Sequence, residues 1–229
     1  MIRIRPAAER GVTRTSWLDS RHTFSFGGYV DPRHQHFREL RVINDDRVAP
    51  GGGFGSHSHR DMEIITYVLE GALEHQDSLG NGSVIRPGDL QRMTAGRGVT
   101  HSEFNASRDE PVRFLQIWIL PRKEGVDAGY EQRSFAGREG LWLAGSSSAR
   151  ADAVHIDQDA DLWIARLAPG ATASVKLAPG RHAWVQAARG AIAVNGHDLD
   201  EGDGAGLTEE SAVELMGRGA AEALIFDLA

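Results

Sequence analysis

The sequence predicts an all-β protein made of two β-barrels. Glycine accounts for 27 of 229 residues, and short apolar runs alternate with turns of Gly, Pro, Asn and Asp. Helical periodicity is sustained nowhere beyond about two turns, so only short segments could be helical. Strands at nearly regular spacing are typical of a barrel or a sandwich.

Nine strands are predicted along the chain. Each is a short run of apolar, β-branched or aromatic residues, and Gly, Pro, Asn or Asp lies within a few residues of its ends. Runs of this length fit strands better than helices, which need about ten residues of sustained periodicity. In chain order the predicted strands are residues 40–43, 63–69, 72–75, 113–120, 141–144, 162–167, 183–187, 191–194 and 223–226.

A weak internal repeat runs through the chain. Residues 67–89 and residues 184–203 both read as strand, Gly turn, strand, Asn-Gly turn, strand and Gly-Asp turn. An Asn-Gly pair supplies the positive φ that a tight two-residue hairpin turn needs. The sequence therefore predicts such turns at Asn81-Gly82 and at Asn195-Gly196.

The repeat predicts two β-barrel domains, one of residues 1–130 and one of residues 131–229, with the boundary near the Gly-containing stretch 121–137. The net charge of −7 is unevenly distributed. Residues 1–125 hold 17 Lys and Arg against 16 Asp and Glu, whereas residues 126–229 hold 8 against 16. The acidic second part argues against direct binding to nucleic acid.

The composition excludes several classes of protein. No window approaches the roughly 20 apolar residues of a membrane span, and residues 1–6 lack the apolar run of a secretory signal. We therefore expect a cytoplasmic protein without membrane contact, and we expect a monomer. The chain has no cysteine, which excludes disulfides, thiolate zinc sites and iron–sulfur clusters. Any metal must be bound by histidine nitrogen and carboxylate oxygen.

Two short motifs could supply such ligands. His57 and His59 are two residues apart, and His101 and Glu103 repeat that spacing 42 residues after His59. Residues two apart on a strand point to the same face of the sheet. Two such pairs on facing strands would direct three imidazoles and one carboxylate at one point. This ligand set could bind a divalent metal and leave positions open for water, dioxygen or a substrate.

The chain resembles the pirin family of bicupins, and the resemblance covers nearly the whole N-terminal half. It resembles in particular the bacterial pirin-like proteins with quercetin 2,3-dioxygenase activity. The matching segments are WLDSRHTFSF at 17–26, RVINDD at 41–46, GFGSHSHRDME at 53–63, TYVLEG at 66–71, EHQDS at 74–78, MTAGRG at 93–98, HSE at 101–103, QIWI at 116–119 and YEQR at 130–133. The fold that the resemblance implies is all-β, with two cupin barrels (double-stranded β-helices, or jelly rolls) in one chain.

The resemblance implies metal ligands at His57, His59, His101 and Glu103. Imidazole with carboxylate is typical of non-haem Fe(II) sites, so Fe(II) is the expected metal, although Mn, Co, Ni, Cu and Zn accept the same ligands. Cupins in general supply the carboxylate from the first motif, where Glu63 fits. We favour Glu103 over Glu63 because residues 101 and 103 share a strand face, and we expect Glu63 to orient a ligand instead.

The first function that the resemblance implies is that of an enzyme, a metal-dependent quercetin 2,3-dioxygenase. The 3-hydroxyl of a flavonol would lose its proton and bind the metal beside O2. Glu103 could accept that proton if it loosened from the metal. Dioxygen would then add across the heterocycle, which opens and loses carbon monoxide.

The second function is that of a regulator. Pirins are also described as iron-binding partners of transcription factors or metabolic enzymes, and a change in the charge of the metal could alter a nearby surface without turnover. A basic patch beside the metal strands would favour the regulator, and an enclosed pocket would favour the enzyme.

Several further residues carry weaker expectations. His75 could line the pocket or end a strand with a satisfied hydrogen bond. Asp45 and Asp46 are expected to cap or terminate a turn. Phe24, Phe26 and Trp17 are expected to pack in the core or between the domains rather than to form an aromatic substrate cage. The C-terminal domain offers Lys176-Leu-Ala178 where the His-x-His motif would stand, so one metal per chain is expected.

Overall fold

The computed structural model describes residues 1–148 and 152–229 of the chain. The regular structure within these residues is β-strand, apart from one short 3-10 turn at Ala7–Glu9. Each of the nine predicted strands overlaps an observed strand, so the predicted all-β class is confirmed. Across the same residues there is no long apolar helix of the kind that crosses a bilayer.

The strands are numbered along the chain. The first twelve are β1 (Ile2–Arg5), β2 (Gly11–Arg14), β3 (Leu18–His22), β4 (Leu40–Val48), β5 (Gly53–His59), β6 (Glu63–Glu70), β7 (Leu73–Asp77), β8 (Gly82–Ile85), β9 (Asp89–Thr94), β10 (Val99–Asn105), β11 (Val112–Ile119) and β12 (Gly129–Ser134). The others are β13 (Gly140–Ser146), β14 (Val154–His155), β15 (Ala160–Leu167), β16 (Thr172–Lys176), β17 (His182–Arg189), β18 (Ile192–Val194), β19 (His197–Leu199), β20 (Gly204–Leu207), β21 (Ala212–Gly217) and β22 (Ala221–Leu228).

The chain divides into two compact units. The N-terminal unit comprises Gly11–Ala136 and Val154–Gln158, and the C-terminal unit comprises Met1–Arg10, Gly137–Ala153 and Asp159–Ala229. These units differ from the predicted division at residue 130. Strand β1 pairs with β20, which assigns the first ten residues to the C-terminal unit. Strand β12 pairs with β9, so part of the predicted linker is a strand of the N-terminal unit.

The N-terminal unit is built of two sheets that share a core. Seven strands run in the order β12-β9-β6-β11-β4-β3-β2, and four run in the order β5-β10-β7-β8. Buried side chains of both sheets pack together, among them Val68 and Phe114 from the larger sheet and Leu73 and Ile85 from the smaller. The strands pair antiparallel, and apolar residues alternate towards the shared core.

The C-terminal unit repeats this plan with a different interior. One sheet includes the order β1-β20-β17-β22-β15-β13, and the other has the order β16-β21-β18-β19. Apolar side chains from both sheets fill the space between them, including Val175 and Leu215 from one sheet and Val185 and Ile225 from the other. This interior is therefore a packed core.

The turns of the two units support the predicted repeat. Gly71 and Gly190 both have positive φ, and a Cβ on either glycine would collide with the carbonyl oxygen just before a later strand, that of Pro111 before β11 and that of Ala220 before β22. Asn195 and Gly196 both have positive φ, as predicted for a two-residue hairpin. The turn predicted at Asn81-Gly82 is wrong. The positive φ there belongs to Gly80, because the Asn81 side chain folds back to donate hydrogen bonds to the Asp77 carboxylate.

Candidate metal centre

The two short motifs lie on neighbouring strands of the smaller N-terminal sheet. Strands β5 and β10 pair antiparallel, and His101 lies directly opposite His57. The sequence predicted facing strands, whereas the structure has hydrogen-bonded neighbours. The register shifts between His101 and Glu103, so that Glu103 lies opposite Phe54. The extra residue in β5 is a bulge, a feature that often re-aims side chains near functional sites.

Three imidazoles converge at this position. The ring centroids of His57 and His101 are 4.4 Å apart, those of His57 and His59 are 4.8 Å apart, and those of His59 and His101 are 4.9 Å apart. One ring nitrogen from each histidine lies within 4.8 Å of those of the other two. Such a cluster is suited to bind a cation, because three neutral imidazoles offer three lone pairs at one point.

The hydrogen bonds of these rings fit a metal. His57 Nδ1 lies 2.8 Å from the Gly55 carbonyl oxygen, which can accept a hydrogen bond only from a protonated nitrogen. This leaves the lone pair of His57 Nε2 free for a ligand bond. His101 is 2% exposed, and neither of its ring nitrogens has a hydrogen-bond partner. Because buried polar groups almost always have partners, the unpaired His101 nitrogens fit a metal-ligand role.

Glu103 lies beside the imidazoles and is held by Gln116, which donates a hydrogen bond to Glu103 Oε2 at 2.8 Å. The Thr66 hydroxyl donates to Gln116 Oε1 at 2.8 Å, which fixes the Gln116 amide, and lies 3.3 Å from Glu103 Oε1. Burial raises the pKa of the Glu103 carboxyl, while the neighbouring His75 and the hydrogen bond from Gln116 act in the opposite direction. A bound cation would offset the cost of burying this carboxylate.

Glu63, the alternative carboxylate, lies in a different environment. It is fully buried on β6 in the larger sheet, and its Oε2 accepts a hydrogen bond from the Asp157 backbone N–H at 3.3 Å. Burial raises its pKa, and Thr94 and Arg92 act against that rise. Among the described residues, the clusters with metal-ligand spacing do not include Glu63.

His75 lines the inner side of the site. It lies on β7 directly opposite Glu103, is fully buried, and has its ring centroid 5.3 Å from that of His101. Its Nε2 is 3.3 Å from the Asp77 carboxylate, and its Nδ1 has no partner. His75, His101 and Glu103 form a second group with metal-ligand spacing. His75 is the middle residue of β7 and contacts the cluster from inside, so it neither ends a strand nor contributes to the wall of the cavity described next.

A recessed cavity of about 250 Å³ lies beside the cluster. His57, His59 and Glu103 contribute to its wall. One side is aromatic, formed by Phe26, Phe54 and Trp118, and the other is polar, formed by Ser20, His22, Asn44, Asp46 and Gln116. The volume is at the low end for small-molecule sites, and the mixed lining is typical of them.

The expectation that Asp45 and Asp46 cap or terminate a turn is wrong. Both lie inside β4, which runs on to Val48. Asp46 lines the cavity, whereas Asp45 forms a buried ion pair with Arg113, with two N···O distances of 2.9 Å. Strand alternation could have indicated this from the sequence, because the side chain of residue 45 points to the opposite face of a strand from those of residues 44 and 46.

Two aromatic residues and one histidine also belong to the cavity rather than to the core. Phe26 contacts Trp118 edge-on at 5.4 Å, and Trp118 contacts His59 at 5.0 Å. His22 is buried, with Nδ1 2.8 Å from Asn44 Oδ1 and Nε2 2.8 Å from the Thr13 hydroxyl. The expectation that Phe26 packs in the core or between the domains is therefore wrong, whereas Phe24, named in the same expectation, is 2% exposed and belongs to the core.

The metal-free protein is expected to lose stability through His101 as the pH falls. Burial, with the charges of His57 and His59, lowers the pKa of His101 to about 3. Below about pH 6.5, His101 is protonated in the unfolded chain but stays neutral in the folded chain. The free energy of unfolding therefore falls as the pH decreases towards 3. Relative to His101→Gln, the wild type should lose about 2 kcal/mol between pH 7.5 and 5.0 in urea unfolding. An equal pH dependence of the two proteins would contradict the assigned shift.

Comparison with known proteins gives the family. The pirin family model matches residues 4–119, and the model of the quercetinase C-terminal cupin domain matches residues 143–228. The quercetin 2,3-dioxygenase of Escherichia coli K12 is 43% identical over 228 residues, which cover 100% of this chain and 99% of that protein.

Solved structures agree with the sequence relatives. The crystal structure of YhhW from Escherichia coli superposes with a TM-score of 0.97 at 43% identity, covering 100% of this chain and 98% of that one. The bacterial pirin YhhW in complex with nickel(II) gives a TM-score of 0.96 at 43% identity, covering 100% and 99%. The two-cupin fold implied by the resemblance is thereby confirmed, and the chain belongs to the pirin family.

Proposed function

We propose that this chain is a metal-dependent dioxygenase of the quercetin 2,3-dioxygenase type, which cleaves a flavonol heterocycle with O2 and releases CO. The observation that carries the proposal is the position of the three-imidazole cluster and Glu103 in the wall of a cavity with an aromatic side. The printed name of the Escherichia coli relative, at 43% identity over the full chain, supports it.

We propose that His57, His59, His101 and Glu103 bind one divalent metal. Four protein ligands on a six-coordinate ion would leave two positions for substrate and O2. The unpartnered nitrogens of His101 and the fixed tautomer of His57 support this ligand set. Fe(II) is the metal that we expect, and the nickel(II) complex of the related YhhW shows that a relative accepts another divalent ion.

The shape of the cavity supports an enzyme rather than a regulator. A recessed pocket beside the ligands is the feature expected of an enzyme, and its aromatic wall suits a planar substrate. Phe26, Phe54 and Trp118 would contact the ring system and exclude water from the reacting edge.

The protein's own groups would do the positioning. Gln116, whose amide is fixed by the Thr66 hydroxyl, holds the Glu103 carboxylate in one orientation, and Trp118 packs edge-on against the His59 ring. When bound, the metal supplies positive charge that stabilises the deprotonated substrate hydroxyl beside O2. Fixed ligands reduce the reorganisation needed during the reaction.

The proposal is tested by anaerobic reconstitution with Fe(II), Mn, Co, Ni and Cu, followed by a flavonol assay for both O2 uptake and CO release. At least one metal should give turnover with matched O2 consumption and CO production. His57→Gln should remove that turnover, and His197→Gln, an imidazole deletion at an exposed site of the C-terminal unit, should retain it. The absence of turnover with every one of these metals would contradict the dioxygenase assignment.

A further inference from the structure

The polar side of the cavity contains a buried acid that is not one of the proposed metal ligands. Asp46 is 3% exposed and contributes to the cavity wall together with His57, His59 and Glu103. Its Oδ1 is buried and has no hydrogen-bond partner among the described residues. The Ser20 hydroxyl forms a hydrogen bond with the carboxyl group. A buried carboxyl oxygen without a partner in a ligand-sized cavity is a group that a bound molecule would satisfy.

The position of Asp46 is fixed by its strand. Its Cα partners are Ser20 on β3 and Phe114 on β11, so the residue is enclosed in the larger sheet. The neighbouring Asp45 points away and is paired with Arg113. Since the alternation of β4 is locked by that ion pair, Asp46 is held towards the cavity.

Glu103, the other acid of the cavity, has less capacity to accept a proton. Its Oε2 already accepts a hydrogen bond from Gln116 at 2.8 Å, and in the proposed function the carboxylate also binds the metal. A carboxylate that binds a metal cation is a weaker base than one that does not, because the cation favours its charged form. Asp46 keeps one oxygen free in the same cavity.

The surroundings of Asp46 favour the uptake of a proton. Burial, with the charges of Asp45 and Glu103, raises the pKa of Asp46 to about 7, while the hydrogen bond from Ser20 acts to lower it. The ionisable groups that share its cavity are His22 on β3, His57 and His59 on β5 and Glu103 on β10, and the charge of Asp45 acts on it from the opposite face of its own strand. A base whose pKa lies near the working pH is the most effective in proton transfer.

We propose that Asp46 is the proton acceptor for the substrate, and that it takes the proton of the hydroxyl group that becomes the reacting oxyanion. This inference rests on the proposed function. The substrate O–H bond breaks, its electron pair stays on the substrate oxygen, and a new O–H bond forms at Asp46 Oδ1. The carboxyl later returns the proton to an oxygen of the product, so no oxidant or reductant is consumed in this step.

The decisive variant is Asp46→Asn, which keeps the shape of the side chain and removes its basicity. Metal-loaded wild type and variant are mixed anaerobically with a flavonol, and the absorption band of the flavonol anion is followed from pH 6 to 9. The wild type should form the bound anion at neutral pH, and the variant should need a higher pH. In air, kcat should fall about 100-fold or more while the metal content is unchanged. Asp46→Glu should restore part of the activity.

Two further variants complete the test. Asp109→Asn removes an exposed acid from a loop and should behave as the wild type. Ser20→Ala removes the hydrogen bond that lowers the pKa of Asp46, so the acid limb of the kcat/KM profile should move to higher pH. An unchanged limb would contradict the assignment even if Asp46→Asn failed to fold.

The outcomes separate this inference from the proposed function. Equal anion formation by wild type and Asp46→Asn, with turnover in both, overturns the role of Asp46 and leaves the dioxygenase intact. Absence of both flavonol binding and O2 uptake in the wild type overturns the dioxygenase itself, and the role of Asp46 with it.

Discussion

Replacing His101 with alanine is expected to abolish metal binding at this site. His101 belongs to both clusters with metal-ligand spacing, one with His57 and His59 and the other with His75 and Glu103. It is also the most buried of the three clustered imidazoles, so its ring is held in place by the surrounding protein. Loss of a residue that only orients a ligand costs about 10–100-fold in metal affinity, so loss of His101 itself should cost more. Metal titration by calorimetry and metal analysis after dialysis both measure the effect.

Glu63→Ala is the matched comparison. Glu63 is another buried polar residue of the same unit, but its carboxylate accepts a hydrogen bond from the Asp157 backbone and does not belong to either cluster with metal-ligand spacing among the described residues. This variant should weaken metal binding at most. Circular dichroism of both variants checks that they fold. The reverse result, with metal lost in Glu63→Ala and retained in His101→Ala, would show that the carboxylate and the site have been assigned wrongly.

Replacing Arg113 with methionine is expected to destabilise the protein by about 3–5 kcal/mol. Arg113 is 4% exposed and Asp45 is 6% exposed, and two N···O distances of 2.9 Å join them across β4 and β11. Removing the guanidinium takes away the two hydrogen bonds and the positive charge that Arg113 supplies to the buried Asp45 carboxylate, and a buried charge is costly when its pairing is weakened. Urea unfolding of wild type and variant, with equal metal content, measures the loss.

The double variant Asp45→Leu with Arg113→Met is the control for this prediction. A buried ion pair exchanged for apolar side chains is often close to neutral in stability, because both desolvation costs disappear together. The double variant should therefore be more stable than Arg113→Met alone. A loss below about 1 kcal/mol in the single variant would mean that the pair is solvated, as exposed pairs are.

Much of the candidate site could be predicted from the sequence, because strand periodicity acts over two residues. The spacing of His57 with His59 and of His101 with Glu103 sufficed to predict one shared face for each pair. The spacing of these residues does not show which strands are neighbours in the sheet. The pairing of β5 with β10, and the bulge that sets Glu103 opposite Phe54, follow from tertiary packing.

The cavity was harder to predict, since its walls come from distant segments. Asp46, Trp118 and His22 lie on three strands that meet only in the folded sheet. The sequence pattern predicts a turn at Asp46, because aspartate is common at turns, whereas the residue lies inside a strand. Strand alternation predicts that Asp45 and Asp46 point to opposite faces of β4, but this applies only if the strand is known to continue to Val48.

For the second cupin, the sequence prediction depends on the residues that stand where the first cupin has its metal ligands. Apolar residues such as Val175 and Leu177 lie in the region where the first cupin has its histidines, and both are buried in the core. Among the described residues, the clusters with metal-ligand spacing lie in the N-terminal unit. The expectation of one metal per chain stays a prediction for the loaded protein.

The most direct test of the central claim is anomalous diffraction from crystals loaded with Fe(II) or nickel(II), collected at the absorption edge of the metal. The account predicts one anomalous peak per chain, within bonding distance of His57, His59, His101 and Glu103. A peak bound by Glu63, a peak held by His75, His101 and Glu103 without His57 and His59, or a further peak in the C-terminal unit would contradict it.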